Sequence, residues 1–96
     1  MLIHTINKSP YSHSSLQKCL DFCLDDDDAI VLLEDGVYAL THKALASVNN
    51  TPLYAIEADI TARGLTETYQ NQDRVQVISY EDFVALCIEY PKLKNW

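Results

Sequence analysis

The sequence predicts an α/β fold, a small open parallel sheet of about four strands sandwiched by helices. Three observations predict it. Four short apolar segments rich in β-branched residues recur, at 2–6, 29–33, 53–56 and 75–78. Stretches with apolar residues at helical spacing stand between them and after the last one. The connections are short, and no internal repeat or linker interrupts the chain. Strands alternating with helices favour a parallel sheet, joined by right-handed crossovers. Ninety-six residues suit one domain spanning 1–96.

The first strand is Leu2-Ile3-His4-Thr5-Ile6, ended by Asn7-Lys8-Ser9-Pro10, because proline has no ladder donor and restrains the residue before it. Ser14 and Gln17 have the spacing of a capping box. Leu16, Cys19, Leu20 and Cys23 then recur at i, i+3, i+4 and i+7, one apolar face of a helix. Asp25, Asp26, Asp27 and Asp28 follow. Four acids oppose the dipole at a helix C-terminus, so the run is expected in an exposed, solvated turn.

Ala29-Ile30-Val31-Leu32-Leu33 does not alternate, as suits a strand buried on both faces. Glu34-Asp35-Gly36 ends it with a turn signal. Val37, Leu40, Ala44 and Val48 are near helical spacing, but Thr41-His42 interrupts them. After the loop 49–52, Leu53-Tyr54-Ala55-Ile56 is the third strand. Residues 58–63 predict a short helix stopped by Gly64, which tolerates the left-handed conformation. Residues 65–74 are polar and expected to be irregular. Val75-Gln76-Val77-Ile78 is the fourth strand. Ser79, with Asp82 three residues on, caps a last helix with Tyr80, Phe83, Val84, Cys87 and Ile88 as its apolar stripe. Pro91 ends that helix. Its apolar arc is wide enough to predict association with another subunit.

Seven basic and fourteen acidic side chains leave a net charge of −7. Nucleic-acid binding relies on clustered Lys and Arg, and only Lys43, Arg63 and Arg74 lie between residues 19 and 91. Direct contact with RNA or DNA is therefore not expected. No apolar run approaches the ~18 residues of a membrane span. The first eight residues lack a basic start followed by a long apolar stretch, so a cytoplasmic protein is expected. Three cysteines are an odd number without zinc-type spacing, and they are expected as reduced thiols.

Ligands of such sheets bind beyond the carboxyl ends of the strands. That rim holds Ser9 and Tyr11, then Glu34 and Asp35, then Glu57 and Asp59, then Ser79, Tyr80, Glu81 and Asp82. It is acidic and has no glycine-rich loop, which excludes a phosphate cradle; acids at helix N-termini also have a structural reason to be there. The 25–28 run lacks the spaced ligands, glycine and distal Glu of a calcium loop. Asp35-Gly36 lacks the acids after the first strand that a phosphoreceiver pocket needs. His4, His13 and His42 show no metal-ligand spacing, and His4 reads as a partnered strand histidine. No cofactor or metal is expected. Cys19, Cys23 and Cys87 all lie on apolar stripes, where cysteine packs as a small hydrophobe.

The opening Leu2-Ile3-His4-Thr5-Ile6-Asn7-Lys8-Ser9-Pro10, then Leu32-Leu33-Glu34-Asp35-Gly36-Val37-Tyr38-Ala39, then Asp59-Ile60-Thr61-Ala62-Arg63-Gly64-Leu65 occur in this order. Ser79-Tyr80-Glu81-Asp82-Phe83-Val84-Ala85-Leu86 and Trp96 complete the pattern. Together they resemble the DsrH/TusB family of intracellular sulfur-relay subunits over essentially the whole chain. The resemblance implies a DsrE-like fold and assembly with two sister DsrE/DsrF-like subunits, as a dimer of heterotrimers. In TusB-type systems the complex passes persulfide sulfur onward for 2-thiolation of the tRNA wobble uridine. In DsrH-type systems it serves dissimilatory sulfur oxidation. The sulfur-accepting cysteine of the tRNA pathway belongs to a sister subunit, after its third strand, and residues 57–73 here contain none.

Cys19 is the candidate sulfur acceptor within this chain, since some DsrH-type members carry a cysteine near this position. A persulfide carrier needs an accessible thiolate near positive charge or a helix N-terminus. Lys18 is adjacent, but Cys19 lies past the first turn on the apolar stripe. The expectation is a non-catalytic, assembly-forming subunit. The alternatives are a sulfur carrier or sulfurtransferase using Cys19, and a homo-oligomeric binding module.

Overall fold

The computed structural model describes residues 2–22, 27–48, 51–69 and 74–96. Five strands form one parallel sheet: β1 (Leu2–Ile6), β2 (Ala29–Leu32), β3 (Leu53–Ile56), β4 (Val75–Ile78) and β5 (Lys92–Asn95). Their spatial order is β4-β3-β2-β1-β5. The helices are α1 (Ser15–Phe22), α2 (Glu57–Ala62), α3 (Thr66–Tyr69) and α4 (Tyr80–Glu89). Two 3-10 helices, Glu34–Thr41 and Lys43–Ser47, connect β2 to β3.

The order dictates the layers. The crossovers from β1 to β2, β3 and β4 all step the same way, so right-handed connections lay them on one face. The return from β4 to β5 reverses direction and puts α4 on the other face. The packing agrees with this division. Ile6, Ile30, Leu32, Leu53 and Ala55 form one core with Leu16 and Cys19 of α1, Val37 and Leu40 of the 3-10 segment, and Ile60 of α2. Ile3, Val31, Ile56 and Ile78 form the other core under Phe83, Leu86, Cys87 and Tyr90. Alternate residues of one strand thus serve different cores, the period-two geometry of a strand covered on both sides.

The fifth strand adds to the four expected. Its sequence, Lys92-Leu93-Lys94-Asn95, is polar and all four residues are exposed. It pairs with β1 in the register Leu2 to Lys92 and Ile3 to Leu93. Charged side chains suit a sheet edge, where they discourage pairing with foreign strands.

Residues 37–48, ambiguous by helical spacing, fall largely within the two 3-10 helices, Glu34–Thr41 and Lys43–Ser47. His42 separates them in an extended conformation and accepts a hydrogen bond from the Ala44 amide at Nδ1. Buried pairs at a spacing of three, Gly36 with Ala39 and Val37 with Leu40, fit the eclipsed i, i+3 geometry of that helix. Residues 66–69, expected to be irregular, form the short α3. Gly64 has φ +68 beyond α2, as its position predicts. Gln17, the expected partner of Ser14, donates its amide forward to Asp21.

The acid run is not uniformly solvated. Asp25 and Asp26 lie outside the described residues, and Asp27 is exposed, but Asp28 is 3% exposed. The pairing of Ile3 with Ala29 brings Asp28 beside the start of β1. There its Oδ1 accepts from the Leu2 amide at 3.1 Å, and its Oδ2 bonds His4 Nε2 at 2.7 Å.

Candidate functional site

Adjacent strands β3 and β4 send their following chains to opposite faces, making a topological switch point. The crevice at their carboxyl ends is where open α/β sheets take ligands. The rim expected from the sequence comes together there in part. β2 hands over to Glu34, a non-glycine residue with φ 50, whose amide donates to Asp59 Oδ2 at 2.8 Å. Tyr80, the first residue of α4, donates its hydroxyl to the same oxygen at 3.0 Å. Arg63 at the end of α2 pairs with Asp35 at 2.9 Å and lies 3.6 Å from Asp59 Oδ1. Asp59 therefore braces three elements across the crevice.

Burial of the Tyr80 phenol, reinforced by its hydrogen bond to Asp59, raises its pKa above the ordinary 10.0. Tyr80 is thus a protonated donor at neutral pH, not a base. Asp59 accepts two hydrogen bonds and pairs with Arg63, which is shared between two carboxylates. The cluster contains no thiol and no unpaired cation among these groups, so it suits bracing better than chemistry.

The remaining rim residues serve local structure. Ser79 and Asp82 make the expected reciprocal capping box at the start of α4. Ser9 accepts from the amides of Ser12 and His13 through its carbonyl and from Tyr11 through its hydroxyl. Tyr11 leaves the switch point altogether. Its hydroxyl bonds Thr41, and its ring meets His42 edge-on at 4.9 Å. Pro10, Tyr11, His13, Gln17 and His42 line an open cleft of about 450 Å³ beside α1.

Cys19 and Cys87 stand away from the crevice. Cys19 is 0% exposed, within the core of Leu16, Ile30 and Leu40. Cys87 is half-buried against the Ile3 and Val31 core. Cys23 lies outside the described residues. No cluster of His, Cys, Asp or Glu among the described residues could hold a metal ion. No helix among them is long and apolar enough to cross a membrane.

The sequence did not point to a second polar assembly, built on His4. This ring is fully buried, bonded to Asp28 through Nε2 and to the indole N–H of Trp96 through Nδ1 at 3.0 Å. Indole nitrogen can only donate, so Nδ1 accepts and Nε2 carries the proton given to Asp28. The contact is a hydrogen bond of a neutral imidazole to a carboxylate rather than an ion pair. His4 is a partnered strand histidine, as its place in the strand predicts.

Comparison with known proteins extends over nearly the whole chain. A family model described as DsrH like protein matches residues 8–93. The chain is 41% identical to Protein TusB of Pectobacterium carotovorum subsp. carotovorum (strain PC1) over 101 positions, covering 99% of this chain and 100% of the relative. It is 34% identical to Protein TusB of Enterobacter sp. (strain 638) over 99 positions, with the same coverage. Protein TusB of Escherichia coli (strain K12) is also 34% identical, over 101 positions and with the same coverage.

Proposed function

Because the chain belongs to the DsrH family, we propose that it is a non-catalytic subunit of an intracellular sulfur relay supporting 2-thiolation of the tRNA wobble uridine. In this reading residues 1–96 form a single cytoplasmic domain that assembles with two sister DsrE/DsrF-like subunits, as a dimer of heterotrimers. The end-to-end likeness to proteins named TusB carries the reading.

The alternative, a sulfur carrier or sulfurtransferase using Cys19 in sulfur oxidation, meets a steric difficulty. To take sulfur from a donor persulfide, the Cys19 thiolate must reach the donor's outer sulfur. Its side chain is fully enclosed by the core, and reactive cysteines need at least partial exposure.

Reconstitution with the two sister subunits, labelled persulfide and tRNA tests the proposal. Transfer of label to tRNA is expected to require this chain and to survive Cys19→Ser. The substitution places a more polar hydroxyl in apolar packing, so its expected cost is about 1–3 kcal/mol of stability. Loss of transfer with unchanged assembly and melting temperature would promote the carrier reading. Transfer indifferent to this chain would remove it from the relay.

A further inference from the structure

β5 is attached to the sheet without being part of its interior. Lys92, Leu93, Lys94 and Asn95 are all exposed, and the buried members of both cores lie outside the strand. Main-chain pairing with β1 holds it, with three further bonds around that pairing. The Thr5 hydroxyl donates to Asn95 Oδ1 at 3.0 Å, the Trp96 amide donates to the Thr5 carbonyl at 3.0 Å, and the Trp96 indole donates to His4 Nδ1. Of these three, the indole bond alone ends on a titratable group.

That bond needs Nδ1 without a proton. Nε2 already gives its proton to Asp28, so a second proton enters the ring only at Nδ1. It turns the acceptor into a donor aimed at the indole N–H, another donor. While β5 stays closed, both N–H groups then lack an acceptor beside a fully buried ring, and an unsatisfied group costs more when it is charged. With Trp96 lifted away, water accepts from Nδ1–H and Asp28 keeps its bond to Nε2–H. The surrounding charges keep this contrast. Asp28 is bonded to the ring in both arrangements, so its attraction for an imidazolium favours neither. Lys94 is the register partner of His4 and stands 4.2 Å from the centroid of the Trp96 ring, so its positive charge is close only when β5 is closed. Asp27, Lys92, and Lys18 and Asp21 of α1 are exposed, where solvent screens them. Tyr90 of α4, coupled to Asp28, is uncharged in this range because its pKa lies above 10.0.

We propose that His4, Asp28 and Trp96 form an acid-released latch, in which proton uptake at His4 Nδ1 frees Trp96 and lets β5 part from β1. The other four strands stay paired. One proton from solvent enters per opening, and only hydrogen bonds break. The latch does not depend on the relay reading.

Amide hydrogen exchange followed by NMR between pH 8 and pH 5 tests it, each rate being divided by the intrinsic rate of that amide at that pH. The Ile3 and Thr5 amides face β5, because the Thr5 carbonyl accepts from the Trp96 amide; those of His4 and Ile6 face β2. Protection at Ile3, Thr5 and Trp96 is expected to fall with pH, by up to tenfold per unit, in step with the ring nitrogen shifts of His4. Protection at His4 and Ile6 is expected to hold, which separates local release from global unfolding. Trp96→Phe removes the donor; its Ile3 and Thr5 protection is expected to be lower throughout and much less dependent on pH. His13→Asn with His42→Asn removes the other two imidazoles and leaves the wild-type profile. A flat profile, or a fall shared equally by His4 and Ile6, overturns the latch. So does a pH response undiminished in Trp96→Phe, or one lost with His13 and His42.

Discussion

His4 shows how one buried polar side chain is held at no net deficit of hydrogen bonds. Both ring nitrogens are partnered, by Asp28 and by Trp96, and the arrangement fixes a neutral Nε2–H tautomer. Trp96→Phe keeps an aromatic ring but removes the donor, leaving a buried acceptor unpaired. The expected loss is about 1–3 kcal/mol in urea unfolding. Nitrogen chemical shifts of His4 should show a protonated Nε2 and an unprotonated Nδ1 in the wild type. Two tyrosines set a pH dependence. Burial raises the pKa of Tyr90, with a smaller contribution from Tyr54, and burial followed by Asp59 raises that of Tyr80. A phenol whose folded pKa exceeds its unfolded value stabilises the fold fully below the unfolded pKa. That stability is lost as pH rises through the folded one. Unfolding free energy is therefore expected to fall as pH rises past about 10, the unfolded tyrosine value. The fall should be smaller in Tyr80→Phe and Tyr90→Phe, and a flat wild-type profile would contradict the assignment.

At the level of elements, the handover from β1 and β2 to the first 3-10 helix depends on the absence of a side chain at Gly36. A Cβ there would stand 1.8 Å from the Ile6 carbonyl oxygen. Gly36→Ala must push two backbone segments apart, and the expected cost is about 3 kcal/mol or more, beyond ordinary overpacking. Thermal melting checks it; a variant as stable as wild type would mean that the two segments are not so close. Gly36 was legible in the sequence only as a turn residue, because what it meets lies thirty positions earlier. The elements written by local pattern were legible: four apolar strands, the Ser79 and Asp82 cap, and Gly64 after α2. β5 was not, because two lysines and an asparagine in four residues carry no burial signal, and only Leu93 alternating between lysines hinted at a strand. Asp28 looked like its acidic neighbours until strand register singled it out. Asp35, Asp59, Arg63 and Tyr80 were visible as residues near the strand ends, but their pairing across α2 and α4 is set by tertiary packing. The burial of Cys19 was the most legible feature, since its position at i+3 from Leu16 already turned it inward.

For the whole molecule, an acidic surface has a direct consequence for nucleic acid. With a net charge of −7, the isolated protein is expected to show no saturable tRNA binding at about 150 mM salt, where phosphate contacts are already strongly weakened. A filter-binding titration checks this, and saturable binding would return RNA contact to this chain. The topology has a different consequence, in time rather than space. β5 is synthesised after every other described strand, yet it pairs with β1, the earliest, and Trp96 supplies a hydrogen bond to His4 across 92 positions. While the chain is being made, β1 has β2 on one side and nothing on the other, and the His4 ring lacks one of its two partners. A nascent chain at that stage is a four-stranded intermediate with an open inner edge, the kind of surface that strand-seeking neighbours and chaperones recognise. Native protection of the Ile3 and Thr5 amides, which face β5 because the Thr5 carbonyl accepts from the Trp96 amide, should therefore arrive last among the β1 residues, when β5 closes over them.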